Sequence, residues 1–438
     1  MSVLTEDRIT SADRARMFDH VLGGAKPRSE WRTGLELELI GFELDGMRRI
    51  GIAAIEALLA EYSDDPIIDA GVLVGASAPA GSLTVEPGGQ VEFSGSPEES
   101  LSVTEAKVTN YIDWLREQSR ALGIIFLGIG FDPLRSLGDM RWVEKPRYSI
   151  MRPYLEGKDL RGLDMMTRTA SIQVNLDFDS LEDLGKKFVA GNRLAPIATA
   201  IFANSPFREG RPSGVKSERS LVWLETDGDR CGISRAVLSR QFSLDEWLDD
   251  ILSTPMFFIR RNDAYRNMTG TTFKEFLDNP VDATPLFGDF VDHLTTVFTE
   301  ARLKRWIEMR SADGGGVLDS LAVQAFWKGL LYDPASLGEA IALVPGLNGA
   351  EYLELQREVA VKGLSANTCG VRVLDLARDL VGLSRAGLAA QGKDEAKYLD
   401  VVVERLGEGI CPADILIRNF EGSWQGQIGH AIDYLRLA

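Results

Sequence analysis

The sequence predicts an α+β protein built around an antiparallel sheet that has one polar and one apolar face. Several segments alternate apolar and polar residues with the period of two that a half-buried strand requires. Helical and strand patterns do not follow each other one for one, which argues against a doubly wound parallel sheet. After about residue 317 the pattern is almost entirely helical. The fold class is therefore expected to be a sheet with segregated helices.

The individual elements follow from periodicity and from turn residues. The segment 98–121 begins after Pro97 and repeats apolar residues near helical spacing, whereas "SLTVEPGGQVEFSG" reads as two strands around a Pro-Gly-Gly turn. In chain order we predict a helix within 1–30, a strand at 33–42, a helix at 51–62, two strands within 82–95, a helix at 98–121, strands at 122–131 and 169–178, helix at 181–204, and a strand running into a Gly-rich turn at 302–316. Because no strong linker interrupts the chain, we expect one domain over 1–438 with a mainly helical part from about 317.

Composition and charge restrict the function. The chain has 438 residues and a net charge of −17, so nucleic acid and anionic membrane surfaces are not expected partners. It has three cysteines without CxxC spacing and three widely separated histidines, which argues against a disulfide framework, a His-based zinc site and a Ser-His-Asp triad.

Two segments bear on location. The start, "MSVLTEDRIT", is polar and acidic and therefore unlike a secretory signal. The longest apolar run, "LGIIFLGIGF", is too short to span a bilayer. These features predict a cytoplasmic protein that does not bind membranes.

Polar side chains share one face on each of four predicted strands. Counting alternate residues gives the following sets: Glu36 and Glu38; Gln90, Glu92 and Ser94; Ser171, Gln173, Asn175 and Asp177; Lys304, Trp306, Glu308 and Arg310. Glutamate is uncommon in strands. Two carboxylates on one strand face lie about 7 Å apart and repel by about 2 kcal/mol at an effective dielectric near 20.

Two interpretations of these faces stand. One is an ordinary antiparallel sheet with a solvated face. The other is a sheet whose clustered carboxylates need cations between them, and oxygen ligands without thiols or imidazoles suit Mg²⁺ or Mn²⁺, which often hold substrate phosphates. No Walker A motif or GxGxxG turn is present, so metals and arginines would hold a phosphate. The turn "SADGGG" can cradle a phosphate with its backbone or be a plain turn.

Arginines that suit a carboxylate or a phosphate occur in two segments. Arg147 and Arg152 lie in "EKPRYSIMRPY", and Arg219 precedes Trp223 by four residues in "KSERSLVWLETDGDRCG". Bidentate arginine is the usual partner of these anions, although each arginine can also be a surface residue.

Longer segments resemble a known family. "EPGGQVEFSG", "RYSIMRPYL", "GLDMMTRTASIQVNLDF", "PIATAIFANSPF", "PMFFIRRN" and "HLTTVFTEARLKRWIEMRSADGG" resemble, in the same order, the glutamate–cysteine ligases of the plant and proteobacterial type, from about residue 30 to past residue 410. The resemblance implies a glutamine-synthetase-like curved antiparallel sheet with helices on its outer face. It also implies ATP-dependent joining of L-glutamate to L-cysteine through γ-glutamyl phosphate, with Mg²⁺ or Mn²⁺, in a monomer or homodimer.

The resemblance assigns roles to individual residues. It implies that Glu36, Glu38, Glu92 and Glu308 bind metal. Gln173 faces the metals and the nucleotide phosphates, and Arg310 stabilises charge on the transferring phosphoryl group. Arg147 and Arg219 hold the glutamate substrate, with Trp223 beside them.

Departures from the family pattern leave other readings open. "VEKP" stands where relatives have a Met-Pro-Lys-Gly-like run, and "MTRTAS" replaces an aromatic- and Cys-containing strand start. The cysteines of the plant redox switch are not found, so no such regulation is predicted. The alternatives are a γ-glutamyl ligase that uses another amine, a non-catalytic relative that binds glutamate or nucleotide, and a guanidino kinase, which shares the architecture but not the motifs.

Overall fold

The chain is built around one large antiparallel sheet. The computed structural model describes residues 6–158, 161–238, 241–280 and 282–438. Within them the strands are β1 Thr33–Glu43, β2 Asp65–Asp69, β3 Val72–Ala78, β4 Gly81–Val85, β5 Val91–Gly95, β6 Ile124–Leu127, β7 Ser171–Leu176, β8 Phe207–Arg208, β9 Arg211–Pro212, β10 Cys231–Gly232, β11 Phe258–Arg261, β12 Ala264–Asn267, β13 Phe298–Thr299, β14 Ala301–Leu303, β15 Ile307–Asp313, β16 Asn367–Thr368 and β17 Val371–Arg372.

The strand order of the large sheet is β14-β15-β7-β1-β5-β4-β3-β2, and β6 pairs with the second half of β1. Every pairing in this sheet is antiparallel. The remaining short strands form two-stranded pairs outside it. The predicted α+β class with an antiparallel sheet is confirmed.

Helices account for most of the other regular structure. They are α1 Arg14–Leu22, α2 Ile52–Tyr62, α3 Leu101–Leu122, α4 Tyr148–Lys158, α5 Gly162–Arg168, α6 Leu181–Arg193, α7 Ala195–Ile201, α8 Glu218–Leu224, α9 Leu244–Ser253, α10 Phe273–Asp278, α11 Phe287–Leu294, α12 Val317–Tyr332, α13 Pro334–Leu343, α14 Gly349–Lys362, α15 Val373–Ala390, α16 Asp400–Glu408, α17 Pro412–Glu421 and α18 Ile428–Leu435. None of the helices in the described ranges is long and apolar enough to cross a membrane.

The apolar face of the sheet is the floor of the main core. In β1, Leu35, Leu37 and Leu39 are fully buried, whereas the alternating Glu36 and Glu38 keep some exposure. Helix α12 packs across β1 and β7, α3 packs on β5 and β6, and α7 packs on β15. Burial of branched apolar side chains on this face stabilises the sheet. The opposite face is polar and lies against a cavity.

Local signals fix several element ends. Helix α3 begins after Ser100, whose hydroxyl accepts a hydrogen bond from the backbone N–H of Ser102, and it ends at Gly123, which has a φ of 66°. An N-cap serine and a left-handed C-terminal glycine are the residues expected at these positions. The boundaries predicted for this helix were therefore close to the observed ones.

Four predicted elements differ from the structure. The helix expected over 181–204 is divided into α6 and α7. The strand expected over 302–316 is a hairpin, in which β14 and β15 are joined by a turn at 304–306, so Trp306 is 37% exposed rather than on the strand face. Regular pairing in the segment 122–131 is limited to β6. Strand β7 ends at Leu176, and Asp177 pairs with Lys26 outside the polar face. Strands β2 and β3 were not predicted, because Pro66 and the run Gly75–Ala78 are weak strand formers.

Candidate active site

A cavity of about 310 Å³ lies against the polar face of the sheet. Every residue that the sequence predicted to act on substrate, nucleotide or metal lines this one cavity: Glu36, Glu38, Glu92, Arg147, Gln173, Arg219, Trp223, Glu308 and Arg310. They come from strands β1, β5, β7 and β15, from the start of α4 and from α8. The fold thus brings together residues that are up to 274 positions apart in the chain (310 − 36).

The strand register places three carboxylates together at what we call the acidic end of the cavity, Glu36, Glu38 and Glu92. Glu38 is directly opposite Glu92 on the neighbouring strand. Glu38 accepts hydrogen bonds from Ser171 N (2.6 Å) and Ser171 Oγ (3.0 Å). Glu36 accepts one from Asn175 Nδ2 at 2.7 Å, and Glu92 accepts one from Ser94 Oγ at 2.9 Å.

The acidic end has no compensating cation in ion-pair contact among the described residues. Burial raises the pKa of Glu38 to about 7, and Glu86 adds to the rise. Burial and the charges of Glu36, Glu86 and Glu38 raise the pKa of Glu92 well above its ordinary value. Burial, followed by the charge of Glu308, also raises the pKa of Glu36. The shared cause is desolvation of acids that repel one another.

The other side of the cavity, which we call the basic end, consists of Arg302, Lys304 and Arg310 around Glu308. Arg302 Nε is 2.5 Å from Glu308 Oε2, Lys304 Nζ is 3.1 Å from Oε1, and Arg310 Nη1 is 3.3 Å from Oε2. Burial alone would raise the pKa of Glu308, but these three cations hold it well below its ordinary value.

Gln173 connects the two ends. Its Nε2 donates to Glu38 Oε1 at 3.2 Å, and its Oε1 accepts from Arg310 Nη1 at 2.6 Å. An amide can donate on one side and accept on the other, so it bridges a carboxylate and a guanidinium where a second acid or base could not. Gln173 therefore orients Arg310 toward the acidic end.

Arg219 and Trp223 project from one helix. Ser217 caps α8 by accepting from Ser220 N, and residues four apart lie on the same helix face. Arg219 Nη2 donates to the backbone oxygen of Arg310 at 2.7 Å. The Trp223 ring lies edge-on to Phe298, and the Arg310 guanidinium lies 5.6 Å from its centroid. Its Nε1–H is buried without a hydrogen-bond partner among the described residues.

Arg147 enters the cavity from the turn before α4. Its guanidinium lies 5.3 Å from the centroid of the Tyr148 ring. Burial works against the charge on Arg147, but Tyr148 and Glu86 raise its pKa above the ordinary value. Arg152, from the same segment, stacks on Trp142 and is not among the lining residues.

Other residues that line the cavity were not predicted from the sequence to act there. Arg302 was not considered, and Lys304 was placed on a strand face with Glu308 although it lies in the turn. The run "RLKRWIEMR" did hold a signal, since four basic residues surround a single glutamate. Apolar and sulfur-containing side chains also line the cavity: Tyr148, Met151, Met165, Met166, Phe258 and Phe298.

The acidic end fits a hard divalent cation in its donor chemistry. It offers carboxylate oxygens without thiols or imidazoles, and its mutual repulsion is what a cation would relieve. Among the described residues, no three acidic, His or Cys side chains converge as a ready cage for one ion. Mg²⁺ commonly uses one or two carboxylates together with water and substrate phosphates, so such a cage is not required.

The fold and the site together define an α+β protein whose antiparallel sheet carries clustered acids and arginines on its polar face. The family model for glutamate-cysteine ligase family 2 matches residues 32–433. The chain belongs to this family.

Curated relatives agree. The chain is 40% identical over 420 residues to glutamate–cysteine ligase B of Oryza sativa subsp. japonica, covering 94% of this chain and 85% of the relative. It is 38% identical over 442 residues to the enzyme of Medicago truncatula, covering 98% and 87%. A crystal structure of glutamate–cysteine ligase from Francisella tularensis in complex with AMP has the same fold, with a TM-score of 0.53 at 13% identity over 90% of this chain and 85% of that chain.

One prediction is overturned by the same comparison. The chain was expected to be cytoplasmic, but the curated relatives in rice, Medicago truncatula and Arabidopsis thaliana are all named chloroplastic. The expectation was wrong because it rested on the lack of a secretory signal and of a membrane-spanning segment. The composition of a folded catalytic region does not indicate the compartment in which the protein works.

Proposed function

We propose that this protein joins the γ-carboxylate of L-glutamate to the amino group of L-cysteine at the expense of ATP. The observation that carries the proposal is the gathering of all nine predicted site residues around one cavity with an acidic and a basic end. Membership of the ligase family and the names of its relatives support the same reaction. The product would be γ-glutamylcysteine, with ADP and phosphate released.

The reaction would proceed in two steps. An oxygen of the glutamate γ-carboxylate attacks the γ-phosphorus of ATP, the bond to the β-phosphate oxygen breaks, and ADP leaves. The cysteine nitrogen then attacks the acyl carbon of γ-glutamyl phosphate, phosphate leaves, and the amine proton passes to a carboxylate of the polar sheet face or to the phosphate. Phosphoryl transfer depends on positioning and charge neutralisation more than on a protein nucleophile, and the cavity offers no obvious nucleophile.

The chain's own residues would position and stabilise the reacting groups. Arg147 and Arg219 would hold the substrate carboxylates, beside the unpaired Nε1–H of Trp223. Arg310, oriented by Gln173, would stabilise negative charge on the phosphoryl group in flight. The apolar and sulfur-containing side chains that line the cavity would exclude water from the acyl phosphate.

A divalent cation, Mg²⁺ or Mn²⁺, would be held by Glu36, Glu38 and Glu92. It would supply charge neutralisation to the phosphate oxygens of ATP. Glu308 stays a predicted fourth ligand, although three cations already balance its carboxylate. The single catalytic domain and the monomeric or homodimeric state also stay predictions.

The experiment that tests this function is ADP release with ATP, Mg²⁺ and L-glutamate against a panel of amines, followed by mass detection of the product. Cysteine should give the highest rate, with a product of the mass of γ-glutamylcysteine. A higher rate with another amine would assign a different acceptor. ADP release with none of the amines would contradict the proposed ligase activity.

A further inference from the structure

The hairpin formed by β14 and β15 carries two basic side chains to which no role has been given so far, Arg302 and Lys304. Both line the cavity, and their side chains are 11% and 21% exposed. Within the described ranges, each makes its ion pair with the same carboxylate, that of Glu308, which Arg310 also contacts. Glu308 is itself 1% exposed.

The charges at this basic end do not balance. Three cations share one carboxylate, so two positive charges lack an acidic partner in ion-pair contact within the described part of the chain. Holding like charges together at low exposure is costly unless an anion compensates them. An anionic group that enters the cavity at this end would supply that compensation.

The position in the sheet indicates which anion fits. Strands β15 and β5 are three strand spacings apart, about 14 Å. The cavity thus runs from carboxylates that need cations to cations that need an anion. An extended polyanion carrying a divalent ion matches both ends, whereas a single carboxylate matches only one.

The orientation of Arg302 supports the same conclusion. Its Nη1 donates to the backbone oxygen of Thr295 at 2.7 Å and its Nε to Glu308, so the guanidinium is held from two sides. Arg302 also lines a second cavity of about 340 Å³, whose lining includes Cys231 and Trp247. It therefore lines both cavities, and its Nη2 has no hydrogen bond to a described residue, so that this part of the guanidinium can bind oxygen atoms.

We propose that Arg302 and Lys304 bind the phosphate chain of ATP and that Glu308 is the positioning residue that aims both of them. The inference rests on the proposed function for the identity of the nucleotide. This assignment adds two contacts to that of Arg310 on β15. Arg302 would bind phosphate from β14, and Lys304 would bind it from the turn between the two strands.

The first test is the Lys304→Met variant, which keeps the aliphatic stem and removes the charge. Arg305→Met is the matched control, since the Arg305 side chain donates to the backbone oxygen of Gly23 away from the cavity lining. Equilibrium binding of ATP and of inorganic triphosphate with Mg²⁺ is measured by calorimetry. We expect Lys304→Met to weaken both by roughly 10- to 100-fold and Arg305→Met to leave both unchanged.

Steady-state kinetics of the same variants add a second readout. The KM for ATP should rise in Lys304→Met while the KM for glutamate stays unchanged. An increase confined to the glutamate KM, or unchanged binding of ATP and triphosphate, would overturn the proposal. Because the binding experiment needs no turnover, the phosphate contact can fail or hold independently of the ligase activity.

Glu308→Gln tests the positioning role. If Glu308 acts by positioning, this neutral variant of similar shape should raise the KM for ATP, because Arg302 and Lys304 lose the carboxylate that holds them. The apparent affinity for Mg²⁺ should then stay unchanged, whereas the prediction that Glu308 is a fourth metal ligand requires that affinity to fall. A large loss of Mg²⁺ affinity with an unchanged KM for ATP would overturn the positioning role and assign Glu308 to the metal.

Discussion

Glu38 and Glu92 lie directly opposite each other on adjacent strands, and neither forms an ion pair within the described residues. The Glu92→Gln variant removes one member of this half-buried like-charged pair. We expect the metal-free variant to be more stable than wild type by at most about 2 kcal/mol, and only above about pH 7, where Glu38 ionises and the repulsion it would feel from Glu92 is gone. We also expect added Mg²⁺ to stabilise wild type but not the variant.

Thermal unfolding with and without MgCl₂ measures both effects. Glu43→Gln is the control, since Glu43 is at the far end of β1, the strand that carries Glu38, and pairs with Arg48 and Arg141. Equal Mg²⁺ stabilisation of wild type and Glu92→Gln would remove Glu92 from the metal site.

Arg219→Ala should raise the KM for glutamate by roughly 10- to 100-fold and change the KM for ATP little, because a charged hydrogen bond to the substrate carboxylate is lost. The variant also loses the contact from Arg219 Nη2 to the backbone of Arg310. Arg219→Lys keeps the charge and should show a smaller effect on the same KM. Equal effects of Arg219→Ala on both substrates would show that the residue has another role.

Trp223→Phe tests the unpaired indole donor. A buried N–H without a partner is costly, so its removal should leave the free protein as stable as wild type or slightly more stable. Glutamate affinity should fall by about tenfold if the donor binds substrate. Unfolding in urea and the KM for glutamate are the two measurements. A large loss of stability with an unchanged KM would mean that the indole serves only packing.

Arg49 is a buried arginine that connects segments of the chain next to the cavity. It is fully buried with Asp132 and donates to the backbone oxygens of Gly88 (2.8 Å) and Thr167 (3.1 Å). Arg49→Met should lower the free energy of unfolding by about 3–5 kcal/mol, because it leaves a buried carboxylate uncompensated. Arg48→Met, at an exposed neighbouring pair, should cost less than about 1 kcal/mol. Similar urea midpoints for the two variants would contradict the importance of the buried pair.

His293 gives the stability a pH dependence. Burial, with Arg230 nearby, lowers the pKa of His293 to about 4 from 6.5. As the pH falls, His293 takes up a proton at about pH 6.5 in the unfolded chain but only at about pH 4 in the folded protein. The neutral buried His293 therefore contributes fully to the free energy of unfolding above pH 6.5. This contribution is lost as the pH falls from 6.5 to 4, by about 3 kcal/mol.

The variant His293→Gln isolates that contribution. Urea unfolding between pH 7.5 and pH 4 should show a shallower loss of stability in the variant than in wild type. His430→Gln, at an exposed position, should follow the wild-type curve. Parallel curves for wild type and His293→Gln would contradict the assignment.

The sequence carried much of the site but not its full geometry. Alternation alone placed Glu36 with Glu38 and Glu92 with Gln90 on one face, because side-chain direction in a strand depends only on parity. The same rule failed at Lys304 and Trp306, where a turn resets the parity. Arg302 was missed because its role depends on pairing across a hairpin, and pairing is a property of the register and not of the residues alone.

We propose above all that the half-buried carboxylates on the sheet face hold the divalent cation that an ATP-dependent glutamate ligation needs. The most direct test is the rate of ADP release with glutamate, cysteine and saturating Mg²⁺ for Glu38→Gln beside Glu43→Gln, both checked for wild-type unfolding behaviour. Glu38→Gln should lose product formation while Glu43→Gln retains it. Near wild-type turnover of a folded Glu38→Gln at saturating Mg²⁺ would contradict the claim.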